Sequence, residues 1–338
     1  FFDIASGNTL WGPYLLALKS LFLEPYNINW LKSKAFADKM IDYIEEEKYD
    51  LIHFDTISLI PFFPLVPSGT STSLDHHNIE SHMLLRRARH EKNIFKRSYY
   101  WQEGIRLARY ERYFCPKFSL NITCSDIDRE RLLKIAPHTN ARTIPNGVDL
   151  EFFNPKGVPS QSRRLIFVGT MNWYPNIEAV LYIAEKIWPE LKLKYPELEF
   201  DIIGANPPLS ILEIADRCPG FHVHGFVNDV RPYIERATVY VCPIRDGGGT
   251  KLKILDAMAM FKAVVAHPVA CEGINVQNGH NILLADNKPE FIEQIRTLLD
   301  SKQKRDSLGR QARKTIEDFY GYHSIGMQLS NAFQKVVN

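Results

Sequence analysis

Between residues 165 and 284 the chain alternates short β-branched runs with helical patterns, and no other feature narrows its fold as much. The strand-like runs are 165–168, 199–203, 222–226, 239–243 and 263–267, with a shorter one at 281–284. Helical periodicity fills the intervals at 176–195, 208–217, 230–236 and 251–260, and helices continue from Pro289 onward. Strands joined through helices are parallel, and a parallel sheet needs helices on both faces. Right-handed crossovers make such a sheet doubly wound, with ligands outside the carboxyl ends of its strands.

The first half repeats the plan less completely. Residues 51–54, 72–74, 120–123 and 141–144 read as short strands, and helical stretches cover 33–47, 81–114 and 126–135. The expected class is α/β, with two Rossmann-like doubly wound parallel-sheet domains. At 338 residues the chain exceeds one typical core. Pro155, Gly157 and Pro159 cluster in 154–161, which puts the boundary there: a first domain over 1–155, a second over 156–320, and a terminal helix in 321–338. Three or four strands make a thin first sheet, and the chain opens on Phe1 straight into helical pattern. The first domain is therefore expected to be incomplete at its N-terminal end.

A net charge of +2 gives no overall case for nucleic acid. Five cysteines, odd in number and never spaced C-x-x-C, argue against a disulfide framework or a zinc site and predict a reducing, cytoplasmic setting. The longest apolar run, 57–66, is short and broken by Pro61 and Pro64, so no bilayer-spanning segment is expected, and there is no signal-peptide pattern. Residues 82–113 hold nine Arg or Lys against three Asp or Glu, interleaved with Phe95, Tyr99, Tyr100, Trp101, Tyr110 and Tyr113. This is either a solvated helix pair or a face for an anionic membrane, which would set the protein at the inner face of the plasma membrane.

The richest chemistry lies in 242–260. A strand ends in Gly247, Gly248 and Gly249, Thr250 stands where a helix N-cap belongs, and Arg245, Lys251 and Lys253 add positive charge. Glycines let backbone N–H groups approach a ligand, and the start of a helix favours an anion, so the segment reads as a phosphate pocket. Leu252 replaces the third glycine of the dinucleotide fingerprint, and Gly-Lys-Ser/Thr occurs nowhere. The plainer reading is tight strand-to-helix packing. Asp256 falls two helical turns beyond Gly249, where an acid reaches hydroxyls of a ligand whose phosphates sit at the helix end, or merely pairs with Lys253.

Three ordered segments precede this loop: Ile144-Pro145-Asn146-Gly147-Val148-Asp149, Phe167-Val168-Gly169-Thr170-Met171 and His224-Gly225-Phe226-Val227-Asn228-Asp229. Ile254-Leu255-Asp256-Ala257-Met258-Ala259, Glu272-Gly273 and Asn278-Gly279 follow it. In order and spacing the chain resembles glycosyltransferase family 4, over about residues 40–335. The resemblance implies a GT-B fold, with two Rossmann-like domains facing a cleft. It also implies retaining transfer from a nucleotide sugar, UDP- or GDP-linked, to a glycan or lipid-linked acceptor in polysaccharide or cell-envelope synthesis. No metal or other cofactor is implied. The terminal helix would cross back onto the first domain, the alternative being that it caps the second.

For donor binding the resemblance implies Gly169 and Thr170, Phe226 and Val227 beside the base, and the loop residues Arg245, Gly247, Gly248, Gly249, Thr250, Lys251 and Lys253. Asp256 would hold the ribose. The family's sugar-contacting carboxylate falls at Gly248, leaving Asp246 as the nearest acid. Its basic pair is missing from 170–176, so Lys251, Lys253 and Arg245 must substitute. Lys251 and Asp246 are the catalytic candidates here. In the first domain they are His77, Asn78 and Glu80, whose alternative reading is as ordinary loop or capping residues. His76 and His77 would need an acid partner and a third ligand in the right geometry to hold a metal, and no metal site is expected. Two rival readings remain: a GT-B nucleotide-sugar epimerase, and a donor-binding homologue without activity.

Overall fold

The computed structural model describes residues 3–4, 11–157 and 163–337. Pro159 and the end of the range 154–161, used above to mark a domain boundary, lie outside the described residues. The chain divides into two compact units, one running to Pro145 and resuming at Met327, the other running from Asn146 to Gly326.

The first unit holds four parallel strands in the order β1-β2-β3-β4: Leu51–Phe54 (β1), Ser71–His76 (β2), Leu120–Thr123 (β3) and Ala141–Thr143 (β4). Phe54, Leu74, Leu107 and Leu132 lie in its core. Residues 81–114, read as one helical stretch, are two helices, Glu80–His90 and Ile94–Phe114, parted by a short turn. Asn93 starts the second helix by accepting from the amides of Phe95 and Lys96 at 3.0 and 3.1 Å. The last helix, Tyr322–Val337, belongs to this unit from Met327 onward. There Ser71 Oγ donates to the Val336 carbonyl at 2.5 Å, and the Phe333 ring lies 5.6 Å from that of His53.

The second unit holds six parallel strands: Arg164–Val168 (β5), Glu199–Ile203 (β6), Phe221–Gly225 (β7), Val239–Cys242 (β8), Val264–Ala266 (β9) and Leu283–Leu284 (β10). Their order is β10-β9-β8-β5-β6-β7. Val239–Cys242 is buried throughout, because strands at the middle of a parallel sheet meet helices on both faces. The helical run after β5 passes through a π-turn at Ile183–Ile187 just before Pro189, whose missing N–H interrupts the regular ladder. Two parallel-sheet α/β domains are thus present, as the alternation of strands and helices predicts.

Candidate active site

In the second unit β5 and β8 lie side by side at the centre, and the chain leaves them toward opposite edges of the sheet. Such a reversal opens a crevice beyond the carboxyl ends of the two strands. A cleft of about 580 Å³ lies beyond the carboxyl ends of β5, β6 and β7, reached from the helix after β8 by Lys253, and is lined by Gly169, Thr170, Asn176, Phe226, Val227 and Lys253 among others. Five of these six are candidates from the sequence. Asn176 is the addition.

Glycine at 169 leaves room for two side chains. A Cβ at that position would stand 2.5 Å from Lys253 Nζ and 2.8 Å from Asn176 Cγ. Lys253 Nζ donates to Asn176 Oδ1 at 2.5 Å, and Asn176 Nδ2 donates to the Thr170 carbonyl at 2.7 Å. Lys253 comes from the helix Leu252–Ala259, and it reaches the loop after β5, where the sequence carries no base of its own. Burial pushes its ammonium down to about 8. Asp256, one turn further along the same helix, is pushed up to about 7 by burial, with Lys253 pulling the other way.

Of the other basic candidates, neither is among the residues lining this cleft. Lys251 folds back, with Nζ donating to the carbonyls of Gly248 and Gly249 at 2.6 and 2.9 Å. Arg245 is exposed and stacks over the Tyr182 ring, 3.6 Å from its centroid. Gly247 and Gly249 take φ of 105° and 65°, values that favour glycine. Asp246 Oδ2 accepts from the Tyr174 hydroxyl at 2.7 Å, and its Oδ1 accepts from the Gly247 amide at 2.7 Å. Thr250 is not the N-cap. Lys251 holds that position, without a side-chain cap, and Thr250 Oγ1 is buried with no hydrogen-bond partner among the described residues. The left-handed turn at Gly249 delays the helix by one residue relative to the sequence reading.

In the first unit two adjacent histidines at the end of β2 lie in different surroundings. His76 is 3% exposed and its Nε2 lies 3.0 Å from Asn121 Oδ1. Asn121 Nδ2 donates to the Cys115 carbonyl at 2.8 Å, so its oxygen faces the ring and Nε2 carries the proton. Burial pushes His76 down to about 4. His77 is exposed, with Nε2 3.5 Å from Asp55 Oδ1. Asp75 has a buried Oδ1 with no hydrogen-bond partner among the described residues, and burial pushes its carboxyl up. Ligand atoms of Asp75, His77 and Cys124 lie within 4.8 Å of one another, as do those of His53, Asp55 and Asp75. Donor atoms of these types could hold a cation. His76 belongs to neither group.

Asn78 and Glu80 come together beside Asn27. Glu80 Oε2 accepts from Asn27 Nδ2 at 3.0 Å, Asn78 also hydrogen-bonds it, and burial pushes its carboxyl up. Glu111, buried and pushed up to about 7, accepts from the Ser81 amide at 3.2 Å and from its hydroxyl, satisfying a free donor at the helix start. Asn176, Asn27 and Glu111 are missing from the sequence reading, and Asp75 stands next to its candidates without being one of them. Asn176 alone left a usable signal: it falls on the buried stripe of its helix with Ala179 and Val180, where a polar residue needs a partner.

Residues 14–152 match the family model described as Glycosyltransferase Family 4, and residues 162–301 match that described as Glycosyl transferases group 1. An uncharacterized glycosyltransferase of Methanocaldococcus jannaschii is 30% identical over 182 residues, 52% of this chain and 46% of that protein. A 44.6 kDa protein of the cps region of Klebsiella pneumoniae is 21% identical over 216 residues, 61% of this chain and 53% of that protein. The chain spans about half the length of these two relatives. Among solved structures, a glycosyltransferase from Rickettsia africae superposes with a TM-score of 0.68 at 14% identity, covering 89% of this chain and 80% of that one. HepE of Anabaena, solved with UDP and glucose, gives 0.69 at 15%, covering 89% and 81%. The fold is that of GT-B glycosyltransferases, and each half of the chain is similar to a glycosyltransferase family model. Within that type the chain is similar to family 4 in its first unit and to group 1 in its second.

Proposed function

We propose that this protein moves a sugar from a nucleotide-sugar donor, UDP- or GDP-linked, to a glycan or lipid-linked acceptor in polysaccharide or cell-envelope synthesis at the cytoplasmic face of a membrane. The observation that carries this reading is Lys253, held by Asn176 against the glycine turn after β5. Breaking the sugar–phosphate bond leaves a nucleoside diphosphate, and a fixed cation in a desolvated pocket stabilises that leaving anion. Phe226 and Val227 offer an apolar wall for the base, and Asp256 serves the ribose. Lys253 does the work of the absent basic pair without a metal. Front-face attack by the acceptor hydroxyl then retains configuration and requires no protein nucleophile. His77, Asn78 and Glu80 serve the acceptor side. HepE, with UDP and glucose bound, supplies the analogy for the donor class.

One observation favours a second reading, donor binding without transfer. Gly248 stands where the resemblance puts a sugar-contacting carboxylate, and Asp246 is already engaged by Tyr174 and by its own turn. Thermal melts with UDP, GDP and ADP, followed by transfer assays in EDTA, test both readings. Selective stabilisation by one diphosphate with metal-free turnover supports transfer. Stabilisation without turnover supports the second reading, and no stabilisation by any diphosphate overturns both.

A further inference from the structure

The helices Glu80–His90 and Ile94–Phe114 touch at Gly104, where a Cβ would stand 2.8 Å from Leu85 Cγ. Nearer the turn a groove of about 850 Å³ lies between them, lined by Leu85, Ile94, Trp101 and Ile105 and flanked by Arg89 and Arg97. Ile94, Arg97, Trp101 and Ile105 recur at helical spacing on one stripe of the longer helix. The opposite stripe, with Glu103, Leu107 and Glu111, is buried in the unit. The longer helix therefore carries a second stripe, partly covered by the shorter helix at Ile105 and open at Ile94 and Trp101. Ile94 is 65% exposed, Phe95 84% and Trp101 58%.

Charge selects the occupant. Residues 86–97 contain six Lys or Arg and one acid, Glu91. Arg87 is stacked on Tyr100 at 4.3 Å. Arg89 and Arg97 have no ion-pair partner among the described residues. A solvated helix pair accounts for the charges but not for Ile94 and Phe95 exposed side by side at the turn. Basic side chains set among exposed aromatic and aliphatic ones match the boundary between lipid phosphates and acyl chains.

We propose that this hairpin tip is a docking surface for an anionic bilayer. Arg89, Lys92, Lys96 and Arg97 meet the headgroup phosphates, and Ile94, Phe95 and Trp101 enter the interface below them. Docking needs no sugar donor, so it stands or falls separately from glycosyl transfer.

Co-sedimentation of the full chain with phosphatidylglycerol vesicles, against phosphatidylcholine vesicles, tests it. Binding is expected to the former only, and to weaken as salt is raised. The Arg89→Gln, Arg97→Gln double variant should partition about 30-fold less, at the usual value of each basic residue near an anionic surface. Phe95→Ser should weaken binding by a factor that salt does not change. Unchanged circular dichroism and an unchanged nucleotide-induced melting shift verify that the variants are folded. Absent binding, equal binding to both lipids, or an unaffected double variant would overturn the proposal. So would displacement by millimolar inorganic phosphate, which marks a site for the free ion. Self-association abolished by Phe95→Ser would assign the face to a second copy instead and overturn it too.

Discussion

Asn176 accepts from Lys253 Nζ at 2.5 Å and donates to the Thr170 carbonyl at 2.7 Å, so one buried amide ties the helix after β8 to the loop after β5. These loops follow the two strands that flank the reversal of strand order. The geometry of the cleft thus rests on a residue that itself carries no charge.

Replacing Asn176 by Ala leaves the Thr170 carbonyl and the Lys253 ammonium without that partner. Loss of a buried hydrogen-bonding group costs about 1–3 kcal/mol. Asn176→Ala should lower stability by that order in chemical denaturation and weaken nucleoside diphosphate binding in calorimetry. A loss of stability with unchanged affinity would remove Asn176 from the donor site.

Lys253 gives a proton-linked signature. Burial lowers it from 10.5 to about 8, so between those values the unfolded chain binds the proton and the folded chain releases it. Its burden on stability is therefore full below about pH 8 and relieved as pH rises toward 10.5. A bound diphosphate favours the charged ammonium and draws its pKa back up. Binding near pH 8 should take up protons, seen as a calorimetric enthalpy that varies with the ionisation enthalpy of the buffer, and Lys253→Met should abolish that uptake.

Asp256 runs the other way. Its carboxyl is raised from 3.8 to about 7, so across that window the folded chain holds a proton that the unfolded chain has lost. Its contribution to stability is present below 3.8 and is lost as pH rises through about 7. Asp256→Asn, which cannot ionise, should melt higher than wild type at pH 8 and show a flatter profile between pH 4 and 7. If Asp256 also serves the ribose, the same variant binds nucleotide more weakly. Identical melting profiles for the two proteins would show that Asp256 is not buried as described.

The sheet of the second unit was legible because its strands are short, β-branched and evenly spaced by helices. Gly169, Thr170, Phe226, Val227 and Lys253, candidates through the resemblance to glycosyltransferase family 4, do line one cleft, at the strand ends where parallel sheets bind ligands. Which cation faces the cleft was not legible. Lys251, Lys253 and Arg245 look equivalent in sequence, yet Lys251 folds onto its own loop and Arg245 onto Tyr182, both decided by packing from outside the motif. Thr250 failed as a cap because the positive φ of Gly249 sets the register of the helix start. Asn176 carries no charge and belongs to no quoted motif, and only the fold brings Lys253 to it.

Two neighbouring histidines should respond differently to removal. His76→Ala takes a buried ring from between Asn121 and the core, leaves the Asn121 oxygen unpaired and opens a cavity, which together cost about 2–4 kcal/mol. His77→Ala removes an exposed ring and should change stability by less than about 0.5 kcal/mol. If His77 serves the acceptor, its variant loses turnover while nucleotide affinity holds. Wild-type turnover from a folded His77→Ala protein would remove it from the site.

The last contrast sets one glycine against another. A Cβ on Gly204 would collide with the Gly169 carbonyl, a backbone group fixed because the Gly169 amide donates to Ile203 at 2.8 Å. A Cβ on Gly169 meets instead the tip of Lys253, a flexible side chain that can swing aside, and the more firmly held Asn176. Overpacking typically costs about 1–3 kcal/mol, and most where the neighbour cannot yield. Gly204→Ala should therefore unfold at clearly lower denaturant than Gly169→Ala. Gly169→Ala in turn should lose nucleoside diphosphate affinity out of proportion to its loss of stability, because the group it displaces is the ammonium proposed to meet the diphosphate. If the two variants lose stability equally and Gly169→Ala keeps its affinity, Lys253 is not the cation of the cleft.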